Sequence, residues 1–94
     1  MKVYNMTSSR GNKVPNQFII EDTDNAMIYF QSYNTIIAKR DLGDGTYPEI
    51  YLDREKWDYS RTTGKYRNQF LGESKAETQK KIDSGEYILT DLNV

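Results

Sequence analysis

The chain has no cysteine and no histidine. The first absence removes disulfide staples and thiolate nucleophiles, the second removes imidazole bases, and together they take away the usual transition-metal ligands. Long apolar runs are missing as well. The longest, Phe18-Ile19-Ile20 and Met27-Ile28-Tyr29-Phe30, fall far short of a membrane span, and the N-terminus has no signal-peptide apolar region. We therefore expect a soluble protein with no membrane contact that is not exported, so that the Asn5-Met6-Thr7 glycosylation sequon has no chemical consequence. There is no strong excess of either charge. The net charge is −1, and a pI near 5.4 argues against generic polyanion binding.

What is present bounds the fold. A chain of 94 residues holds one compact domain and is too short for two independent cores. Apolar residues make up only 36%, but eight Tyr, three Phe and one Trp supply bulky area, so aromatics should dominate a small core. Charge is unevenly spread: residues 1–20 carry +3, 21–53 carry −5, 54–70 carry +3 and 71–94 carry −2. The two basic segments form one patch if the fold brings them together.

The first half reads as strands. Residues 2–6 suit a short strand, and "TSSRGNK" follows as a turn, so residues 1–13 form a peripheral strand and flexible turn. Pro15 cannot donate to a ladder and belongs near a strand start or an edge; the next strand is placed at about 16–21. "DTDNA" turns the chain into "MIYFQSY", where β-branched and aromatic residues occupy both faces, giving a hairpin over 17–32. A second hairpin spans about 35–52, with Asp44-Gly45 at its turn because glycine accepts a positive φ.

After Asp53 the pattern becomes helical. Tyr66 and Phe70 lie four apart with Leu71 adjacent, which predicts a helix over 62–71, capped by Ser60, Thr62 or Thr63 and stopped by Gly72. Gly64 opposes it, at about 1 kcal/mol relative to Ala. Ser74-Lys75-Ala76-Glu77 has capping-box spacing and predicts a second helix over 75–83, ended by Gly85. "EYILTDL" then adds a last strand. The expected fold is a single α+β domain: an antiparallel sheet of about five strands, with two short helices in the C-terminal half packed on one face.

Chemical signatures are few. Gly64-Lys65 is followed by Tyr66, and position 59 is Tyr, so the phosphate-loop pattern fails. Asp22/Asp24 and Asp41/Asp44 supply too few ligands for a Ca²⁺ loop, so no metal or other cofactor is expected. Ser60, Thr62 or Thr63 as a nucleophile would need Lys65 or Asp58 as base, whereas helix capping explains the same hydroxyls; no catalytic residue is assigned and we expect no enzyme. The stretch from Arg54 to Arg67 interleaves bases with aromatics. Trp57, Tyr66 and Phe70 should be core, which leaves Arg54, Lys56, Tyr59, Arg61, Lys65 and Arg67 as an outward contact face. Glu21, Asp22, Asp24, Asp41 and Asp44 form an alternative acidic face that could mimic phosphate charge.

Two segments, "YFQSYNTIIAK" (29–39) and "WDYSRTTGKYRNQFLGE" (57–73), together with "KKIDSGEYILTDLN", resemble a family of small uncharacterised proteins encoded by tailed phages and bacterial mobile elements. The likeness covers about residues 14–93 and leaves "MKVYNMTSSRG" outside its clearest part. It carries no activity and no catalytic residue. It implies a protein of the bacterial host's cytoplasm that binds and modulates a host protein, for example as an inhibitor of a defence system such as a CRISPR nuclease. The alternative is a small nucleic-acid-binding accessory protein using the 54–67 face. A strand exposed at either end of the sheet could also pair with its copy in a homodimer.

Overall fold

The computed structural model describes residues 1–43 and 47–93. The elements run β1 (Lys2–Thr7), β2 (Lys13–Asp22), β3 (Met27–Ser32), β4 (Thr35–Asp41), β5 (Glu49–Asp53), α1 (Arg61–Leu71), α2 (Lys75–Asp83) and β6 (Tyr87–Thr90). They build one α+β domain on a six-stranded sheet ordered β1-β2-β3-β4-β5-β6. β1 to β5 form an antiparallel meander. The last strand departs from expectation, because β6 lies parallel to β5, with Ile50 opposite Tyr87 and Asp53 opposite Thr90. The reason is the connection. Residues 54–86 contain both helices, and a parallel return needs a crossover of a dozen residues or more, which a hairpin could not provide.

Local chemistry accounts for the strand ends. Thr7 pairs with Lys13 and Asn5 with Phe18, so Val14–Gln17 bulge out opposite Met6. Pro15 occupies that bulge, where its missing N–H costs no ladder bond. Asn16 reaches φ 64° there, and its carbonyl accepts from Tyr33 N at 2.7 Å. β3 and β4 join through Tyr33-Asn34, with Ser32 opposite Thr35. Asp44-Gly45, expected at the β4–β5 turn, lies outside the described residues, but Asp41 and Glu49 pair on either side of it.

Both helices lie on one side of the sheet and close the core there. Phe30, Ala38 and Leu52 project toward them and are fully buried, with Ile37 filling the β4 bulge. Phe30 stacks on Phe70 of α1 at 5.9 Å between ring centroids. Tyr66 is buried as expected, while Trp57 and Phe70 pack against the core half-buried. The N-cap of α1 is Ser60, whose Oγ accepts from Thr63 N. The Thr63 hydroxyl sits 2.9 Å from that of Ser32, pinning the helix start to β3. Gly72 takes φ 72° at the C-cap, the left-handed conformation that favours glycine.

α2 starts with the complete capping box of Ser74 and Glu77. Ser74→Ala removes the acceptor for Glu77 N and should cost about 1 kcal/mol, read as a lower urea midpoint at unchanged m. Glu73, between the helices, ties α2 to β6: its carboxylate accepts from Thr78 Oγ1 at 2.6 Å, Lys81 Nζ at 2.7 Å and Tyr87 OH at 2.8 Å. Burial pushes the Glu73 carboxyl up, but those hydrogen bonds outweigh it and hold the group below the usual glutamate range.

Candidate functional site

The inward stripe of α1 is Thr63, Tyr66, Arg67 and Phe70, the i, i+3, i+4, i+7 set that meets a core. Arg67 therefore does not belong to the outward contact face: it is 1% exposed. Polar acceptors from the β5–α1 connection make this position tenable for a guanidinium. Arg67 Nη1 donates to the Trp57 carbonyl at 2.8 Å and to Asp58 Oδ1 at 3.2 Å, and Nη2 donates to Asn68 Oδ1 at 2.9 Å. The guanidinium carbon stands 5.1 Å from the Trp57 ring centroid. Gly64 lies over this group, so that a Cβ there would sit 3.6 Å from Arg67 Nη2 and 3.8 Å from Asp58 Oδ1.

Outside the buried Arg67, α1 and the start of α2 enclose a shallow concavity of about 630 Å³ lined by Asp58, Arg61, Gly64, Lys65, Asn68 and Lys75 among others. Arg61, Gly64, Lys65 and Asn68 share one helix face. Asp58 is its single acid, and it is already engaged by Arg67 and Lys75. Burial pushes Asp58 up, while hydrogen bonds from Lys75 and Arg67 outweigh it and leave the carboxyl below the ordinary aspartate range. Among the described residues Arg61 and Lys65 have no ion-pair partner. Both are exposed one turn apart.

The other predicted contacts fall elsewhere. Lys56 lines a second concavity with Thr35, Asp53, Glu55, Asp91 and Asn93, and its ammonium lies 4.7 Å from the ring centroid of Tyr59. Tyr59 is 59% exposed. Arg54 pairs with Asp91 at 3.7 Å and donates to the Leu89 carbonyl. The outward basic face thus divides into an Arg61–Lys65 half, joined by Lys75, and an Arg54–Lys56–Tyr59 half beside acids. Lys75 escapes the sequence reading because capping-box spacing defines where α2 begins and says nothing about which loop its first side chain meets.

The acidic residues also divide. Asp22, Met27, Asp41 and Glu49 lie in one transverse row across β2 to β5, so Asp22 and Asp41 share a face with Glu49. Glu21 points to the opposite face and accepts from Tyr4 OH at 2.8 Å, which pushes the Tyr4 hydroxyl pKa up. Asp24 sits in the β2–β3 turn, and Asp44 lies outside the described residues. Turn chemistry occupies both row aspartates: Asp22 accepts from Asn25 N and Nδ2, and Asp41 accepts from Gly43 N.

A family model described as a family of unknown function (DUF8033) matches residues 1–86, and the chain belongs to that family. The match takes in the N-terminal residues that lie outside the clearest part of the sequence resemblance. No curated protein and no solved structure matches the chain.

Proposed function

We propose that this member of a family of unknown function is a non-catalytic binding protein whose α1–α2 concavity receives an acidic surface of a partner protein. The observation that carries this reading is the pair of exposed cations, Arg61 and Lys65, beside a carboxylate already neutralised by Arg67 and Lys75. The concavity has cationic capacity to spare, and an acidic partner would use it. Resemblance to phage and mobile-element proteins supports a bacterial host protein as that partner, in the host cytoplasm, with inhibition of a defence system such as a CRISPR nuclease as the specific role. Affinity capture from host lysate should return one dominant partner at near-stoichiometric yield, and Arg61→Glu with Lys65→Glu should lose it while the unfolding midpoint stays in place. A clean column with several hosts would count against the reading.

Nucleic-acid binding is the second reading, favoured by the exposed Tyr59 ring beside Lys56, since an aromatic face next to a cation suits base stacking. It requires a gel shift at low salt that fades steeply as salt rises. Absence of a shift with single- or double-stranded DNA or RNA removes it.

A further inference from the structure

The helices cover one face of the sheet, yet the other face is not built for water. A transverse row crosses all six strands there: Val3, Ile20, Tyr29, Lys39, Tyr51 and Ile88, each opposite the next. Alternation places the row away from α1, because Tyr29 adjoins Phe30 and Tyr51 adjoins Leu52, both of which are buried beneath the helices. Antiparallel sheets with one solvated face normally carry polar residues on it. Here five of six positions are aliphatic or aromatic, Val3 is 59% exposed and Ile88 41% exposed, and the neighbouring row adds Phe18 and Ile36 around Gln31.

We infer that this face is the contact surface of a homodimer in which two copies pack sheet to sheet. The order of residues along the row selects a second copy as occupant. A twofold axis lying between the two sheets, parallel to the strands and midway between β3 and β4, sets β1 over β6, β2 over β5 and β3 over β4. Val3 then meets Ile88 of the second copy, Ile20 meets Tyr51, and Tyr29 meets Lys39. Aliphatic side chains meet at the ends and each ammonium lies against a ring, while no two lysines are opposed. Lys39 already uses this contact within the chain, standing 4.5 Å from the Tyr51 ring centroid.

The dimensions fit a weak dimer. Six strands about 4.8 Å apart span about 24 Å, and the outward positions, three along each of β2 to β5 and two along β1 and β6, cover about 14–20 Å. That is on the order of 500 Å² of footprint per copy, about 1,000 Å² for the pair, at the lower bound for a specific interface. The acidic margin weakens it further. The same axis sets Asp22 over Glu49 of the second copy at the rim, a like-charge contact that salt screens. Association should therefore tighten as salt rises, opposite to the expectation for the Arg61–Lys65 concavity.

Sedimentation equilibrium between about 5 µM and about 500 µM, a range suited to an interface of this size, tests the inference. The wild-type chain should move from its 11.0 kDa monomer mass toward twice that value, with the transition at lower concentration in higher salt. Tyr29→Lys puts a second ammonium opposite Lys39 and should shift the dissociation constant at least tenfold; Ile88→Lys, at an exposed position, should do the same if Tyr29→Lys fails to fold. β3 lies inside the sheet, so Tyr29→Lys leaves edge-strand pairing intact. A monomer throughout the range overturns the inference, and so does a dimer that either folded variant leaves unchanged. Arg61→Glu with Lys65→Glu leaves this association untouched, which separates its failure from that of the binding concavity.

Discussion

Replacing Arg67 with alanine is expected to cost about 3–5 kcal/mol, a large part of the roughly 5–15 kcal/mol that holds a small domain folded. The side chain is buried, and its guanidinium binds the Trp57 carbonyl, Asp58 and Asn68 at once. Alanine leaves those acceptors facing a void and removes the cation packed on Trp57. Lysine should recover only a minority of the loss, because one ammonium cannot reproduce a planar fork aimed at three acceptors. Methionine fills the volume, and Asp58 keeps Lys75, so Arg67→Met should fall between alanine and wild type. Urea unfolding measures the order. A loss below about 1 kcal/mol for Arg67→Ala, the range of a solvated surface pair, would show that the guanidinium is not buried.

The second large effect belongs to Glu73. Glu73→Ala strands the Thr78 and Tyr87 hydroxyls and removes the partner of Lys81, and should cost about 3 kcal/mol or more. Its pH signature is specific. The folded-state pKa lies below the unfolded value, so this stabilisation is fully present above the ordinary glutamate range near about 4.3 and is lost as pH falls through the folded value. Asp58 adds to the same acid limb, being lowered too. Tyr87 acts at the other end. Burial, then its hydrogen bond to Glu73, pushes its pKa up to about 12. Its contribution is intact below the unfolded value of about 10 and is lost as pH climbs toward the folded one. Glu73→Gln should flatten part of the acid limb of unfolding free energy against pH. An unchanged acid limb in that variant would mean that Glu73 titrates in the folded state as it does in the unfolded chain.

Much of this architecture is legible in the sequence. Runs of β-branched and aromatic residues between turn residues place the hairpins, and the Ser74-x-x-Glu77 spacing places α2, because each depends on short-range chemistry. The β5–β6 direction is not legible in this way: it depends on where two helices return the chain, a tertiary fact with no local signature. Arg67 shows the same limit at one residue. Tyr66 and Phe70 define a stripe four residues apart, but Thr63 and Arg67 complete it, and charge alone would put an arginine outside. Only the carbonyl of Trp57 and the carboxylate of Asp58, brought in by a loop, make the inward position tenable. The open sheet face is legible only in part. "MIYFQSY" shows apolar residues on both faces, but the row from Val3 to Ile88 appears only when all five strand registers are known.

The central claim is that α1 divides its cations, with Arg67 serving the fold and Arg61 with Lys65 serving a partner. The most direct measurement is the affinity of the captured partner for the wild-type chain and for the Arg61→Glu, Lys65→Glu variant, each at low and at physiological salt. The account predicts at least a tenfold loss in the variant, about 1.4 kcal/mol or more, with a much reduced dependence on salt and an unfolding free energy within about 0.5 kcal/mol of wild type. Equal affinity for the two proteins, or wild-type binding that ignores salt, would contradict it.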